Sequence, residues 1–151
     1  MSKIFFDANI LLDILLPKRA NHEMAIKAYT KICDQYDTLV TSENILTTIE
    51  YIATRNGTPC HTTASFFIGL KNNFELYGFG EILDQSLAIY EENCRKGHKI
   101  DFEDLLQLEC ASYYECDAFI TQDKGIHKLN TSIKVYQISD FIDLRADLKE
   151  K

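Results

Sequence analysis

Tryptophan is absent from this chain, proline occurs twice and glycine six times in 151 residues. So few chain-breaking residues exclude a low-complexity chain and make long structureless stretches unexpected. No apolar run reaches the roughly 18 residues that a membrane helix needs. The start, Met1-Ser2-Lys3-Ile4-Phe5-Phe6-Asp7, carries too short an apolar stretch for a signal peptide, so a cytoplasmic protein without membrane association is expected. The five cysteines, Cys33, Cys60, Cys94, Cys110 and Cys116, are odd in number and form no CxxC pair, which argues against a disulfide framework or a thiolate zinc site. Cys33, Cys94 and Cys110 fall in apolar helical patterns and read as small buried hydrophobes. His22, His61, His98 and His127 show no HExxH or other ligand spacing, and the lack of a glycine-rich phosphate loop excludes a P-loop or dinucleotide enzyme.

What is present is an ordinary globular composition with an acidic balance. Apolar residues make up 46% and charged residues 26%, and the net charge is -7. One domain over residues 1–151 is expected. An acidic surface repels nucleic acid, yet carboxylates gathered to hold a cation count toward the same total, and a bound cation reverses the local field.

Ile4-Phe5-Phe6 reads as a buried strand stopped by an acid, followed by a short helix from Ala8 that ends before Pro17. A helix is expected from His22 to about Tyr36 with Asn21 as its cap, then a strand at Thr38–Thr41. Ser42 is a candidate cap for a helix ending near Gly57, and Thr58-Pro59 opens another through Phe66, Phe67, Leu70 and Phe74. A weak strand signal covers Glu75–Phe79. Helices follow over Glu81–Arg95 and Phe102–Tyr114, strands over Ala118–Thr121 and Val135–Ile138, and a last helix from near Asp140. Short apolar strands alternating with helices predict an α/β fold whose mostly parallel sheet is covered on both faces.

In such sheets functional groups gather beyond the carboxyl ends of the strands. Asp7 follows the first strand directly, and Asp123 lies two residues beyond Ala118–Thr121. Asp101 and Asp104, spaced i,i+3, share the first turn of the helix before that strand. Asp101 also suits an N-cap, and Glu103 or Asp104 a favourable first-turn charge. Glu50 sits at the border of an apolar helix face, with a solvated glutamate as the bland reading. Carboxylates crowded at one strand edge repel each other unless a cation is bound, and hard oxygen donors select Mg²⁺ or Mn²⁺ over zinc. Arg95, Lys96, Lys99 and Lys124, with Lys128, form basic patches suited to an RNA backbone or to ordinary solvation.

Over nearly its whole length the chain resembles the PIN-domain family and, within it, the VapC-like toxin nucleases. The resemblance is carried by Asp7-Ala8-Asn9-Ile10-Leu11-Leu12-Asp13, by Glu50 in Thr48-Ile49-Glu50-Tyr51, by Phe102-Glu103-Asp104-Leu105-Leu106-Gln107, and by Phe119-Ile120-Thr121-Gln122-Asp123-Lys124. The chain departs from many relatives after Thr121, where Asp123-Lys124-Gly125-Ile126 replaces a longer Asn-x-x-Asp-Phe-type ending. The resemblance implies a three-layer α/β/α fold and a Mg²⁺-dependent RNA endonuclease. It makes Asp7, Glu50, Asp104 and Asp123 the acidic set, with Asp7, Asp104 and Asp123 as metal ligands and Asn9, Thr121 and Asp101 in support. For Asp13, about a turn and a half beyond Asp7 in the same stretch, both a place beside the set and a solvent-facing position are open. One or two cations would polarise the phosphodiester and activate a water for in-line attack, with no need of a histidine base. The implied role is the toxin of a toxin–antitoxin pair, with a small antitoxin partner and a homodimer. The alternatives are an RNA-processing housekeeping nuclease and a catalytically silent PIN-like protein-binding domain. A receiver domain also gathers aspartates at strand ends, but here the middle strands end at Thr41 and near Phe79 without a second acid.

Overall fold

The computed structural model describes residues 1–129 and 132–142. In chain order the elements are β1 (Lys3–Phe6), α1 (Ala8–Leu15), α2 (His22–Gln35), β2 (Thr38–Ser42), α3 (Ile45–Arg55), α4 (Cys60–Asn73), β3 (Phe74–Tyr77), α5 (Leu83–Arg95), α6 (Phe102–Tyr113), β4 (Ala118–Ile120) and β5 (Lys134–Tyr136). Short 3₁₀ turns cover Gly80–Ile82, Lys124–Lys128 and Ile138–Phe141. The sheet has the order β3-β2-β1-β4-β5 and every neighbouring pair is parallel.

Alternation along the strands divides the core in two. Ile4 and Phe6 of β1 pack with Leu11, Ala25, Ile32, Ile49 and Leu70, while Phe5 faces the other way with Val40, Leu108, Ala111 and Phe119. Helices α1 to α4 therefore cover one face, and α6 with the turn before α5 covers the other. Both faces of β1 are fully buried, which is why its sequence is continuously apolar rather than alternating. Phe5 stacks on Phe119, its register partner in β4, with ring centroids 5.1 Å apart. This is the layered α/β architecture that the sequence predicts.

Local departures have local causes. Ser42 does not cap a helix. It is the last residue of β2, and α3 begins at Ile45 after Asn44. Asn21 precedes α2 without a side-chain capping bond. Gly57 and Gly97 take φ of +79° and +74° just past α3 and α5, the left-handed backbone that closes a helix most easily without a Cβ. Of the three cysteines expected inside, Cys110 is buried but Cys33 and Cys94 are exposed, because each falls on the outer side of its amphipathic helix. The last helix, expected from near Asp140, shows a 3₁₀ turn over Ile138–Phe141, and the rest of it lies outside the described residues. Among the described residues no helix is long and apolar enough to cross a membrane.

Candidate active site

The strand order places a topological switch beside β1. The chain leaves β1 toward β2 and β3 on one side, and returns to β4 and β5 on the other. The connections diverge between the carboxyl ends of β1 and β4, which opens a crevice there. A cleft of about 220 Å³ occupies this place, lined by Asp7, Asn9, Thr48, Asp101, Glu103, Asp104, Gln107 and Asp123, with Ala8, Leu12 and Ile52 as its apolar wall.

Acids at the opposite edge of the sheet behave differently. Asp37 and Asp117 are exposed, and each accepts a backbone N–H at the start of β1, from Ser2 at 2.9 Å and from Lys3 at 2.8 Å. They fasten strand ends and have a structural use. Among the acids of the cleft only Asp101 and Asp123 have such a use, each accepting a backbone N–H at the start of a helical turn.

Asp7 sits where β1 turns into α1. It is 3% exposed, and its own N–H continues the ladder to the Ile120 carbonyl at 3.1 Å. Thr121, fully buried at the end of β4, donates its hydroxyl to Asp7 Oδ2 at 2.7 Å. The same Oγ1 accepts the Asp123 N–H at 2.9 Å, so the hydroxyl proton is committed to Asp7. Burial pushes the Asp7 carboxyl up to about 6, against the opposing pull of Thr121 and the Ala8 amide, with Asp123 and Glu103 adding to the rise.

Asp104 enters from the first turn of α6. Burial, a hydrogen bond to Asp123 and the charges of Asp123, Asp101 and Asp7 push its carboxyl up to about 8. A carboxyl driven that high at neutral pH marks a site whose negative charge lacks a counter-charge. Asp101 has two uses: its Oδ1 caps α6 by accepting the Asp104 N–H at 2.9 Å, and it lines the cleft. Asp123 turns its Oδ1 onto the Gly125 N–H at 2.7 Å and so opens the 3₁₀ turn over Lys124–Lys128. A Cβ at residue 125 would lie 3.0 Å from that oxygen, so the turn favours glycine.

The structure brings together Asp7, Asn9, Asp101, Asp104 and Asp123, with Thr121 bonded behind Asp7. It does not bring Glu50. That residue is exposed and accepts a hydrogen bond from Thr54 one turn away at 3.0 Å. The buried stripe of α3 is Ile45, Ile49 and Ala53. At about 100° per residue, Thr48 and Glu50 fall on opposite flanks of that stripe, and the Thr48 flank faces the cleft. Three polar lining residues are not singled out for the site from sequence: Thr48, Gln107, and Glu103 as more than a first-turn charge. For Gln107 the i,i+3 and i,i+4 spacing from Asp104 and Glu103 was the available signal.

Asp13 is buried rather than solvent-facing, and Arg19 Nε holds its Oδ1 at 2.6 Å, away from the cleft. Arg95 and Lys96 pair with Glu91 and Glu92 of their own helix at 3.8 and 3.1 Å, an ordinary use of basic residues near a helix end. Lys99 and Lys124 are exposed, and the side chain of Lys128 lies outside the described residues.

Among the described residues no three Asp, Glu, His or Cys side chains form a ready-made metal shell. The ionisable lining of the cleft is all carboxylate, a donor set that suits Mg²⁺ better than zinc, which favours nitrogen and sulfur ligands. The donors are all oxygen, and their raised proton affinities show the charge that a cation would balance. The residues therefore fit a hydrated divalent cation.

Residues 3–125 match the family model described as a PIN domain. The chain is 25% identical over 142 residues to Ribonuclease VapC1 of Aquifex aeolicus, covering 93% of this chain and 94% of that protein. Its fold is similar to that of VapBC from Salmonella typhimurium in a DNA-bound structure, with a TM-score of 0.70 at 16% identity over 91% of this chain and 99% of the other. It is also similar to VapC20 of Mycobacterium tuberculosis, a sarcin-ricin loop cleaving toxin, with a TM-score of 0.68 at 13% identity over 83% and 93% of the two chains.

Proposed function

From a chain that belongs to the PIN-domain family, we propose a Mg²⁺-dependent endoribonuclease that acts as the toxin of a toxin–antitoxin pair. The observation that carries the reading is the convergence of Asp7, Asp104 and Asp123, with Asp101 and Glu103, on one cleft at the switch point of the sheet. The similarity to a ribonuclease from Aquifex and to a mycobacterial toxin that cleaves the sarcin-ricin loop supports RNA as substrate. The VapBC complexes among the similar structures support a small antitoxin partner, and a cytoplasmic homodimer belongs to the same proposal.

In this reading Asp7, Asp104 and Asp123 hold the cation, for which Mn²⁺ is the natural substitute. When bound, it supplies charge neutralisation and polarises the phosphodiester. Thr121 fixes the orientation of Asp7 through its donated hydrogen bond. Asp104 and Asp123 crowd one another in the cleft, and a bound cation would relieve the repulsion that raises Asp104. Leu12 and Ile52 limit solvent on one wall. Asn9, exposed at the cleft, and Lys99 and Lys124 contact the RNA backbone.

Structured RNAs incubated with Mg²⁺, with EDTA, and with the Asp7→Asn and Glu50→Gln variants test the proposal. Cleavage is expected with Mg²⁺, to disappear in EDTA, and to fall by roughly 100-fold or more in Asp7→Asn. Glu50→Gln, a surface change, is expected to cleave at close to the native rate. Equal cleavage under all conditions would overturn the metal-centre reading.

A further inference from the structure

Gln107 is 1% exposed, yet it lines the cleft from the second turn of α6. Its Nε2 donates to Glu103 Oε1 at 3.2 Å, which fixes the amide with its carbonyl turned away from Glu103. That carbonyl oxygen, Oε1, is buried and has no hydrogen-bond partner among the described residues. A buried amide oxygen left unpaired is costly and uncommon, so its persistence beside a polar cleft points to a small hydrogen-bond donor that the protein itself does not supply. The neighbouring groups narrow the donor. Every ionisable group on the cleft is an acid, and a cation that takes one or two carboxylates keeps waters whose protons all point outward.

We propose that Gln107 is a positioning residue of the metal centre. Its Oε1 would accept a hydrogen bond from a water in the hydration shell of the bound cation, while its Nε2 holds Glu103 in the cleft. The role rests on the metal-centre reading above. It adds an acceptor of no net charge, so it orients the hydration shell without raising the repulsion among the acids.

Mn²⁺ binding to the full chain, followed without RNA by electron paramagnetic resonance and by calorimetry, tests it with Gln107→Met and Gln107→Glu. Met keeps the bulk but removes donor and acceptor together. Glu restores an acceptor oxygen at the same reach and loses the donor to Glu103. Gln107→Met is expected to weaken Mn²⁺ roughly tenfold or more and to alter the resonance of the bound ion. Gln107→Glu is expected to recover most of that loss, with circular dichroism unchanged in both. Native-like Mn²⁺ affinity in Gln107→Met would overturn the role. So would equal weakening in both variants, which would leave Gln107 only as a prop for Glu103. Unchanged Mn²⁺ affinity with a raised KM for RNA would assign the oxygen to substrate instead. A native protein with no saturable Mn²⁺ site would overturn the metal-centre reading itself and this role with it.

Discussion

Asp7 carries an energetic burden in the cation-free protein. Folding buries its carboxyl and raises its proton affinity from the ordinary 3.8 to about 6. The folded state therefore binds the proton more tightly than the unfolded chain. This contribution to stability is fully present below pH 3.8 and is lost as pH rises through about 6. A rise of that size corresponds to an upper bound on the order of 3 kcal/mol. Asn in its place keeps the shape and accepts the Thr121 bond without the charge. Cation-free Asp7→Asn is thus expected to be more stable than the native protein at pH 8 by about 1–3 kcal/mol, with the gap closing by pH 4. Urea unfolding at both pH values measures it. A gap of the same size at pH 4 and pH 8 would show that charge burial is not the cause.

At the scale of the element, α6 carries three of the cleft acids and its own cap, and Asp101 serves both. Asp101→Asn keeps a capping oxygen and removes a charge, whereas Asp101→Ala removes both. Melting curves should show Asn near the native value and Ala destabilised by about 1 kcal/mol. Mn²⁺ affinity should fall in both, because each loses the charge. If Ala alone weakened the metal, Asp101 would be only a cap.

Much of this element was readable from sequence, since its start, its acids and its apolar face all follow local rules. For α3 the wheel defined the buried stripe but left two flanks equivalent. Which flank meets the cleft depends on how α3 docks on α1 and β2, a long-range fact. Family likeness favoured the only acid available there, Glu50, over the polar Thr48. The burial of Asp13 is not legible locally for a related reason: it requires Arg19, which reaches it only once the chain turns between α1 and α2. Asp7 and Asp123 were legible because an acid directly after a buried parallel strand has few structural uses, and parallel order fixes where strand ends point.

For the whole molecule, the net charge of -7 and the cleft acids act in the same direction. Both raise the free energy of the cation-free fold at neutral pH and are relieved by a bound divalent ion. Mg²⁺ at 100 times its dissociation constant is expected to stabilise the native protein by about 2.7 kcal/mol. In Asp7→Asn the same Mg²⁺ concentration should give little or no shift. Thermal melts with and without Mg²⁺ check this, and an equal shift in the two proteins would locate the ion away from Asp7.

The bond from Thr121 to Asp7 reaches beyond orientation. With that hydroxyl on Asp7 Oδ2, one oxygen of the carboxylate is partly engaged, and a cation would meet Oδ1 as the freer of the two. Ca²⁺ is large and flexible in coordination and gains much of its affinity from bidentate carboxylates, whereas Mg²⁺ is satisfied by single oxygens in an octahedron. A hydroxyl behind the site would then act as a size filter, disfavouring the larger ion by withholding an oxygen. Thr121→Val should narrow the preference for Mg²⁺ over Ca²⁺ in competition binding, and an unchanged preference would refute the filter.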